Sequence, residues 1–255
     1  MLTKLKTGFL KPGLFFKQKY VNVRFGHSTA IIFKENNKGK ELFQGKELTC
    51  IRGERLVFTG LDFSVQAGGA LVLVGPNGAG KSSLLRMMAG LLKPAAGKLL
   101  WNDTVALDDL DEFAENLHYV GHHDAVKPVL SVLENVRFWA GVRGGDVSEK
   151  NILSALDVFD AKHLADVPGR FLSAGQKRRV NLARIIAAPA KLWLLDEPTT
   201  ALDRASIALL DGAIRNHRES GGMVVLSTHA DINIEAATVL DISDFANGRE
   251  TKGAA

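Results

Sequence analysis

A short apolar run ends in a glycine-rich turn near residue 75, and this junction restricts the possible folds more than any other feature. The run is Leu71-Val-Leu-Val74, which is typical of a strand buried on both faces of a sheet. Apolar residues at helical spacing follow over 81–92, before Pro94. The turn between them is Gly75-Pro-Asn-Gly-Ala-Gly-Lys-Ser82, which fits G-x-x-x-x-G-K-[ST]. A strand, this turn and a helix predict a phosphate-binding loop in an α/β domain.

The chemistry of the turn indicates a nucleoside triphosphate with Mg²⁺. Its glycines let successive backbone N–H groups point at a phosphate, and the helix N-terminus adds positive potential. Lys81 is predicted to reach the β- and γ-phosphates, and the Ser82 hydroxyl to bind Mg²⁺. Adenine is favoured over guanine because no Asn-Lys-x-Asp motif is present. The predicted ATP contacts are Gly75, Pro76, Asn77, Gly78, Ala79, Gly80, Lys81, Ser82 and Ser83.

Two further buried strands carry polar residues at their carboxyl ends. Leu192-Trp-Leu-Leu-Asp-Glu197 places Asp196 where it can hold magnesium, partly through water, and Glu197 where it can polarise an attacking water. The strand Met223-Val-Val-Leu226 is followed by His229, which is predicted to contact the γ-phosphate or to orient that water. Glu197 and His229 are therefore the candidate catalytic residues.

The alternation of strands and helices predicts a parallel sheet with right-handed crossovers. Residues from about 121 to 180 have a mainly helical and more polar pattern, and we interpret them as a helical insertion beside the sheet. We expect Cys50 to be a small buried residue in a strand. It is the single cysteine of the chain, so no intrachain disulfide can form. No run approaches the roughly 18 apolar residues that cross a bilayer.

The basic charge is concentrated at the start of the chain. Residues 1–46 contain ten Lys or Arg and two acids, so the totals of 32 and 28 leave 22 basic and 26 acidic residues for the remainder. This mildly acidic body argues against nucleic acid as a partner. Residues 1–45 form a basic extension of unknown role that we expect to be poorly ordered. It fits a targeting segment, a basic arm near an anionic membrane or sequence upstream of the true start, and we favour the last.

The motifs together resemble the nucleotide-binding domains of ABC transporters, over about residues 46–240. The deciding feature is Leu172-Ser-Ala-Gly-Gln176, similar to the signature motif of that family, with Ala174 in place of the usual Gly. Asp203 in Thr200-Ala-Leu-Asp203 matches the family's D-loop. The resemblance implies a RecA-like P-loop fold with a helical signature subdomain and a small N-terminal antiparallel β region, in a domain of residues 46–255.

The resemblance also implies a paired ATPase, because the chain has one P-loop and one signature motif. Each ATP is expected between the P-loop of one domain and the signature residues 172–176 of another, in a homodimer or with a related domain. Ser173 and the amides around Gly175 are expected to cap the γ-phosphate across that interface.

Within the family, the chain is most similar to ATP-binding subunits of the cytochrome c maturation system. The matching segments are Leu172 to Arg184, Tyr119-Val-Gly-His122 and Leu130-Ser-Val-Leu-Glu-Asn135, and little chain follows His229. This implies ATP hydrolysis for haem export or haem-carrier release, driven through an integral membrane subunit. The chain is then expected on the cytoplasmic face of the inner membrane, or at the mitochondrial inner membrane if residues 1–45 are a targeting segment.

Two alternatives for function stay open. An ABC exporter of another substrate has the same ATPase subunit and differs in its membrane partner. A soluble ABC ATPase acting on DNA or ribosomes usually has two such domains or long coiled coils, and this chain has neither.

The sequence departs from the family pattern at two positions. The usual Q-loop glutamine is replaced by His122, or by His123, and histidine changes its charge near a pH of about 6.5. The usual aromatic residue that stacks on adenine is replaced by Arg52, whose guanidinium can also stack on a ring.

Overall fold

The computed structural model describes residues 20–25, 28–33, 41–228 and 234–246. The chain forms two compact units, Met1–Asn37 and Lys38–Ala255. In the first unit, β1 (Tyr20–Phe25) and β2 (Ser28–Phe33) pair as an antiparallel hairpin.

The second unit contains the other described strands and helices, together with three short 3₁₀ turns that are not labelled. In chain order they are β3 (Leu42–Arg52), β4 (Arg55–Gln66), β5 (Ala70–Val74), α1 (Lys81–Met88), β6 (Ala96–Trp101), β7 (Thr104–Val105), α2 (Leu110–Glu115), β8 (Leu117–Val120), α3 (Val132–Val142), α4 (Glu149–Val158), α5 (Ala174–Ala187), β9 (Leu192–Asp196), α6 (Arg204–Glu219), β10 (Met223–Ser227) and β11 (Thr238–Asp241).

A five-stranded sheet in the order β11-β5-β10-β9-β8 forms the centre of this unit, and all of its described pairs are parallel. Every residue of β9 and β10 is buried. Their side chains alternate between two cores: Leu194 and Val225 pack on the side of α1, whereas Leu195 and Leu226 pack on the side of α3, α4 and α5. The prediction of strands buried on both faces is confirmed, and their carboxyl ends meet at one edge of the sheet.

A second, antiparallel sheet in the order β4-β3-β6-β7 lies in the same unit. Its strand β3 begins at Leu42, upstream of the boundary at residue 46 that the charge pattern predicts. Cys50 is buried in β3, as expected, and burial raises the pKa of its thiol.

Helix α1 ends at Met88, although apolar spacing predicts a helix as far as residue 92. The chain leaves the helix because Gly90 adopts a φ of 72°, a left-handed conformation that terminates helices. The amide of Leu91 then donates to the carbonyl of Arg86 at 2.8 Å, which closes the helix end.

The chain between β8 and β9 is helical, with α3 and α4 packed against α5. Helices α3 and α5 each begin with a capping box, from Ser131 and Glu134 and from Ser173 and Gln176. Within the described residues, no helix has the length and apolar content needed to cross a membrane.

Candidate nucleotide-binding site

The turn from β5 to α1 has a backbone that only glycine adopts readily. Gly75, Gly78 and Gly80 have φ angles of 129°, 81° and 112°. At Gly80 an added Cβ would also lie 2.6 Å from Cγ1 of Val57. The Nζ of Lys81 is folded back onto this turn, where it donates to the carbonyls of Gly75 at 2.6 Å and Pro76 at 3.1 Å. The ammonium therefore lies inside the loop that the motif predicts to surround a phosphate.

Asp196 lies beside this loop, at the carboxyl end of β9. Its Oδ1 accepts hydrogen bonds from the hydroxyls of Ser82 at 3.0 Å and Ser227 at 2.8 Å. Its Oδ2 is buried and has no hydrogen-bond partner among the described residues. A buried carboxylate oxygen without a donor is costly, and a hydrated cation next to the Ser82 hydroxyl would satisfy it. This pair of residues fits the predicted magnesium site.

Glu197 has a constrained backbone. Its φ is 48°, in the left-handed region, and its N–H donates to the carbonyl and the hydroxyl of Ser227, both at 3.1 Å. Its Oε2 lies 3.9 Å from Nδ1 of His122, which follows β8. His123 contacts His122 edge to face. His229, the other predicted catalytic residue, lies outside the described residues.

A cleft of about 270 Å³ lies over the phosphate-binding loop. It brings together the glycine-rich turn, Glu197 and Arg52, three features that the sequence predicts for one site. Its lining residues are Arg52, Arg55, Val57, Asn77, Gly78, Gly80, Lys81, Ser82, Ser83 and Glu197.

Sequence reasoning missed Arg55 and Asp241. Arg55 pairs with Arg52 across the β3–β4 turn, so the cleft contains two guanidinium groups. Asp241 ends β11, and its Oδ1 would be 3.2 Å from a Cβ at Gly75. Hydrogen bonds from Ser243 lower the pKa of this carboxyl, and the charge of Lys81 lowers it further. The turn Arg52-Gly-Glu-Arg55 could have predicted that Arg55 lies opposite Arg52, but Asp241 belongs to no recognisable motif.

The signature residues lie at the start of α5. Ser173 is exposed and accepts a hydrogen bond from the amide of Gln176 at 3.2 Å, while Leu172 is buried. A Cβ at Gly175 would lie 2.8 Å from the carbonyl oxygen of Ala201, so this helix packs closely on the chain after Glu197. Of the described residues, none from 172–176 lines the cleft over the phosphate-binding loop.

Asp203 caps the next helix. Its Oδ1 accepts a hydrogen bond from the amide of Ser206 at 2.7 Å, at the N-terminus of α6. Hydrogen bonds from Ser206 hold the pKa of this carboxyl below its usual value. The capping role explains why an aspartate suits this position even without a ligand.

The family model described as ABC transporter matches residues 58–200, from the β3–β4 hairpin to the turn after Glu197. The chain belongs to the ABC transporter family.

Curated relatives indicate which group of the ABC transporter family the chain belongs to. A protein from Paramagnetospirillum magneticum is 58% identical over 210 residues, which is 82% of this chain and 97% of that protein. One from Rhodospirillum rubrum is 58% identical over 205 residues, covering 80% and 87% of the two chains. Both are named cytochrome c biogenesis ATP-binding export protein CcmA. The chain therefore belongs to the CcmA group of ABC proteins, and it is an ATP-binding, ATP-hydrolysing subunit.

Solved structures agree on the fold. An ATP-binding protein of a putative ABC transporter from Pyrococcus furiosus aligns with a TM-score of 0.72 at 22% identity, over 80% of this chain and 99% of that chain. The cbiO1 protein of Clostridium perfringens, part of the ABC transporter complex cbiONQ, aligns with a TM-score of 0.62 at 26% identity, over 75% and 80%. The predicted P-loop fold, with a parallel core sheet and a small antiparallel sheet, is confirmed.

Proposed function

We propose that this ABC ATPase energises a membrane complex for c-type cytochrome biogenesis, through haem export or release of haem from a carrier. The 58% identity to two CcmA proteins, over four fifths of the chain, carries the proposal. The ATP-binding domain of this proposal takes in residues 46–255 together with the start of β3 at Leu42. To the basic extension before β3 we assign no role.

In this proposal Lys81 and the backbone N–H groups of residues 75–83, all except that of Pro76, which has none, hold the phosphates of ATP. Ser82 binds Mg²⁺ directly, and Asp196 holds it partly through water. When bound, the ion neutralises phosphate charge. The support is the Asp196 carboxylate, whose Oδ1 accepts from the Ser82 hydroxyl and whose buried Oδ2 has no hydrogen-bond partner in the described part of the chain. Arg52, and with it Arg55, contacts the adenine or the ribose side of the nucleotide.

Glu197 is the proposed general base, which polarises the water that attacks the γ-phosphate. His229 assists at that phosphate, and His122 takes the Q-loop position, supported by its distance of 3.9 Å from the Glu197 carboxylate. The signature residues act on the ATP of a second domain, in a homodimer or a related pair, and Asp203 lies in the D-loop of that interface. This pairing requires an exposed Ser173 that does not line the cleft of its own domain, and Ser173 meets both conditions.

The Glu197→Gln variant tests the base assignment. Glutamine keeps the size of the side chain but cannot accept a proton. We expect kcat for ATP hydrolysis to fall by roughly 100-fold or more, within the range for loss of a general base, while ATP binding persists and an ATP-bound dimer accumulates. The measurements are phosphate release and size-exclusion chromatography with Mg²⁺-ATP. Normal turnover by this variant would contradict the role.

The partner is an integral membrane ABC subunit of the cytochrome c maturation complex, with this chain bound on the cytoplasmic face of the inner membrane. If residues 1–45 are a targeting segment, the membrane is the mitochondrial inner membrane. The proposal includes no nucleic-acid partner. The chain should restore c-type cytochromes in a bacterium that lacks its own CcmA, and Glu197→Gln should not. Failure of the wild-type chain, with the ATPase active, would favour an exporter of another substrate.

A further inference from the structure

Arg178 is a buried arginine on the signature helix α5, five residues after Ser173. Its side chain is only 2% exposed, yet every nitrogen of its guanidinium donates a hydrogen bond. The acceptors are the carbonyls of Pro198 (3.1 Å, from Nε), Gly121 (3.0 Å, from Nη1), Asp196 (2.9 Å, from Nη2) and Glu197 (2.6 Å, from Nη2), and the Oδ1 of Asp124 (3.2 Å, from Nη1).

These acceptors come from two chain segments that flank the hydrolysis site. Residues 196–198 form the end of β9 and the start of the loop after it, whereas Gly121 and Asp124 lie on either side of the two Q-loop histidines. One planar group therefore joins the signature helix to both segments. A guanidinium presents its donors in a fixed fork, so the positions of the acceptors are constrained relative to one another.

The charge is compensated mainly by backbone dipoles. Among the described residues, Asp124 is the single carboxylate within ion-pair distance of Arg178, and it also accepts from the side-chain amide of Asn181 at 3.1 Å. A buried cation is costly unless it is fully hydrogen-bonded. This cost makes the arrangement sensitive to any shift of the carbonyls around it.

The contact with Glu197 bears most directly on catalysis. A non-glycine residue in the left-handed region is strained, and this conformation persists only where its surroundings hold it. Here Ser227 holds the N–H of Glu197 and Arg178 holds its carbonyl. Both peptide groups of the residue are thus tied, which determines the direction in which its carboxylate leaves the backbone.

We propose that Arg178 is a positioning residue for ATP hydrolysis. It holds the backbone of Glu197 in the conformation that aims the carboxylate into the cleft, and it links that conformation to residues 121–124. The inference rests on the proposed role of Glu197 as general base.

The test compares Arg178→Gln and Arg178→Lys with the wild-type chain, in complex with its membrane subunits where hydrolysis requires them. A misplaced catalytic group costs about 100-fold in rate, so kcat for Arg178→Gln should fall by about that factor. Because the phosphate-binding loop is untouched, KM for ATP should change by less than about threefold. Lysine keeps the charge without the fork and should recover no more than about a tenth of wild-type kcat.

The matched control is Arg143→Gln. Arg143 also donates to backbone carbonyls, those of Ala114 and Leu117, but at the opposite end of β8 from the cleft. It should lose stability without a large loss of kcat when assayed at a temperature where both variants are folded. If Arg178→Gln does not fold, Arg178→Lys carries the comparison.

Each outcome has one meaning. A folded Arg178 variant with kcat near that of wild type, an equal loss of kcat in Arg143→Gln, or a rise in KM with kcat unchanged would overturn the positioning role. A wild-type complex that does not hydrolyse Mg²⁺-ATP would instead overturn the proposed function. In the Glu197→Gln background, the Arg178→Gln change should leave the ATP-bound dimer intact, because positioning a base that is absent has no further effect.

Discussion

Two buried histidines should make this domain lose stability in mild acid. His217 on α6 stacks on Trp193, with ring centroids 3.9 Å apart and planes 5° apart, and its Nε2 lies 3.3 Å from the carbonyl of Met223. Burial lowers its pKa from 6.5 to about 4. His118 on β8 is hydrogen-bonded to the carbonyl of Ala188, and burial, together with the charge of Arg143, lowers its pKa to about 3.

The direction of the effect follows from which state binds protons. Below pH 6.5 the unfolded chain protonates both histidines, whereas the folded chain keeps them neutral until the pH approaches 4 or 3. The stabilisation is therefore complete above pH 6.5 and is lost as the pH falls towards the folded-state pKa values. At pH 5, each histidine is expected to cost about 2 kcal/mol relative to pH 8, or about 4 kcal/mol for the pair. That is a large part of the 5–15 kcal/mol that is typical for a domain.

Urea unfolding at pH 8, 7, 6 and 5 measures this dependence. His217→Gln retains a donor for the Met223 carbonyl but cannot titrate, so its loss of unfolding free energy between pH 8 and pH 5 should be about half that of the wild type. His163→Gln is the matched control: it replaces a histidine whose side chain is 58% exposed, so the two variants differ in the burial of the histidine that is removed. If the His217→Gln curve runs parallel to that of the wild type, His217 does not stay neutral in the folded protein and the reasoning is wrong.

Two substitutions test the ATP site itself. Lys81→Ala should weaken Mg²⁺-ATP binding or abolish hydrolysis, because the phosphates lose a buried positive charge. Nucleotide titration should show this loss, and Lys93→Ala, at an exposed position after α1, should bind normally. Ser173→Arg should leave ATP binding to the monomer unchanged but prevent the ATP-bound dimer in chromatography, whereas Ser154→Arg, at an exposed position on α4, should dimerise normally. Equal loss of monomer binding by Ser173→Arg would argue against a site shared between two domains.

The parts of the fold that the sequence predicted are those with local causes. Strands β5, β9 and β10 are continuous apolar runs because both of their faces are covered, and the turn at residues 75–82 needs glycines wherever φ is positive. The end of α1 was also locally determined, by Gly90, but apolar spacing past that glycine obscured it. A left-handed glycine outweighs the apolar pattern because the chain direction changes there.

Strand pairing places both missed site residues, Arg55 through a short hairpin and Asp241 through two strands that lie far apart in the chain. Arg55 reaches the cleft only because β3 and β4 place it opposite Arg52. Asp241 lies near Gly75 because β11 is the parallel neighbour of β5, with Asp241 in register with Val74. The two-residue turn between β3 and β4 fixes the first register, so the position of Arg55 could have been predicted. The register of β11 on β5 could not, because the long stretch of chain between these two strands sets no fixed offset.

The buried position of Arg178 could have been predicted from the helical periodicity of α5, but its function could not. It stands in a run of three basic residues, Lys177-Arg-Arg179, that resembles an exposed charged turn of helix. Its neighbours at i+3, i+4 and i+7 are 2% exposed or less: Asn181, Leu182 and Ile185. That spacing places Arg178 at the centre of the buried face, while Arg179 turns outward to Asp160. Helical periodicity cannot predict the hydrogen-bond acceptors of Arg178, because most of them are backbone carbonyls of segments 18 to 57 residues away. Backbone acceptors leave no mark in the side-chain pattern, so a residue that holds Glu197 in place is visible only once the chain is folded.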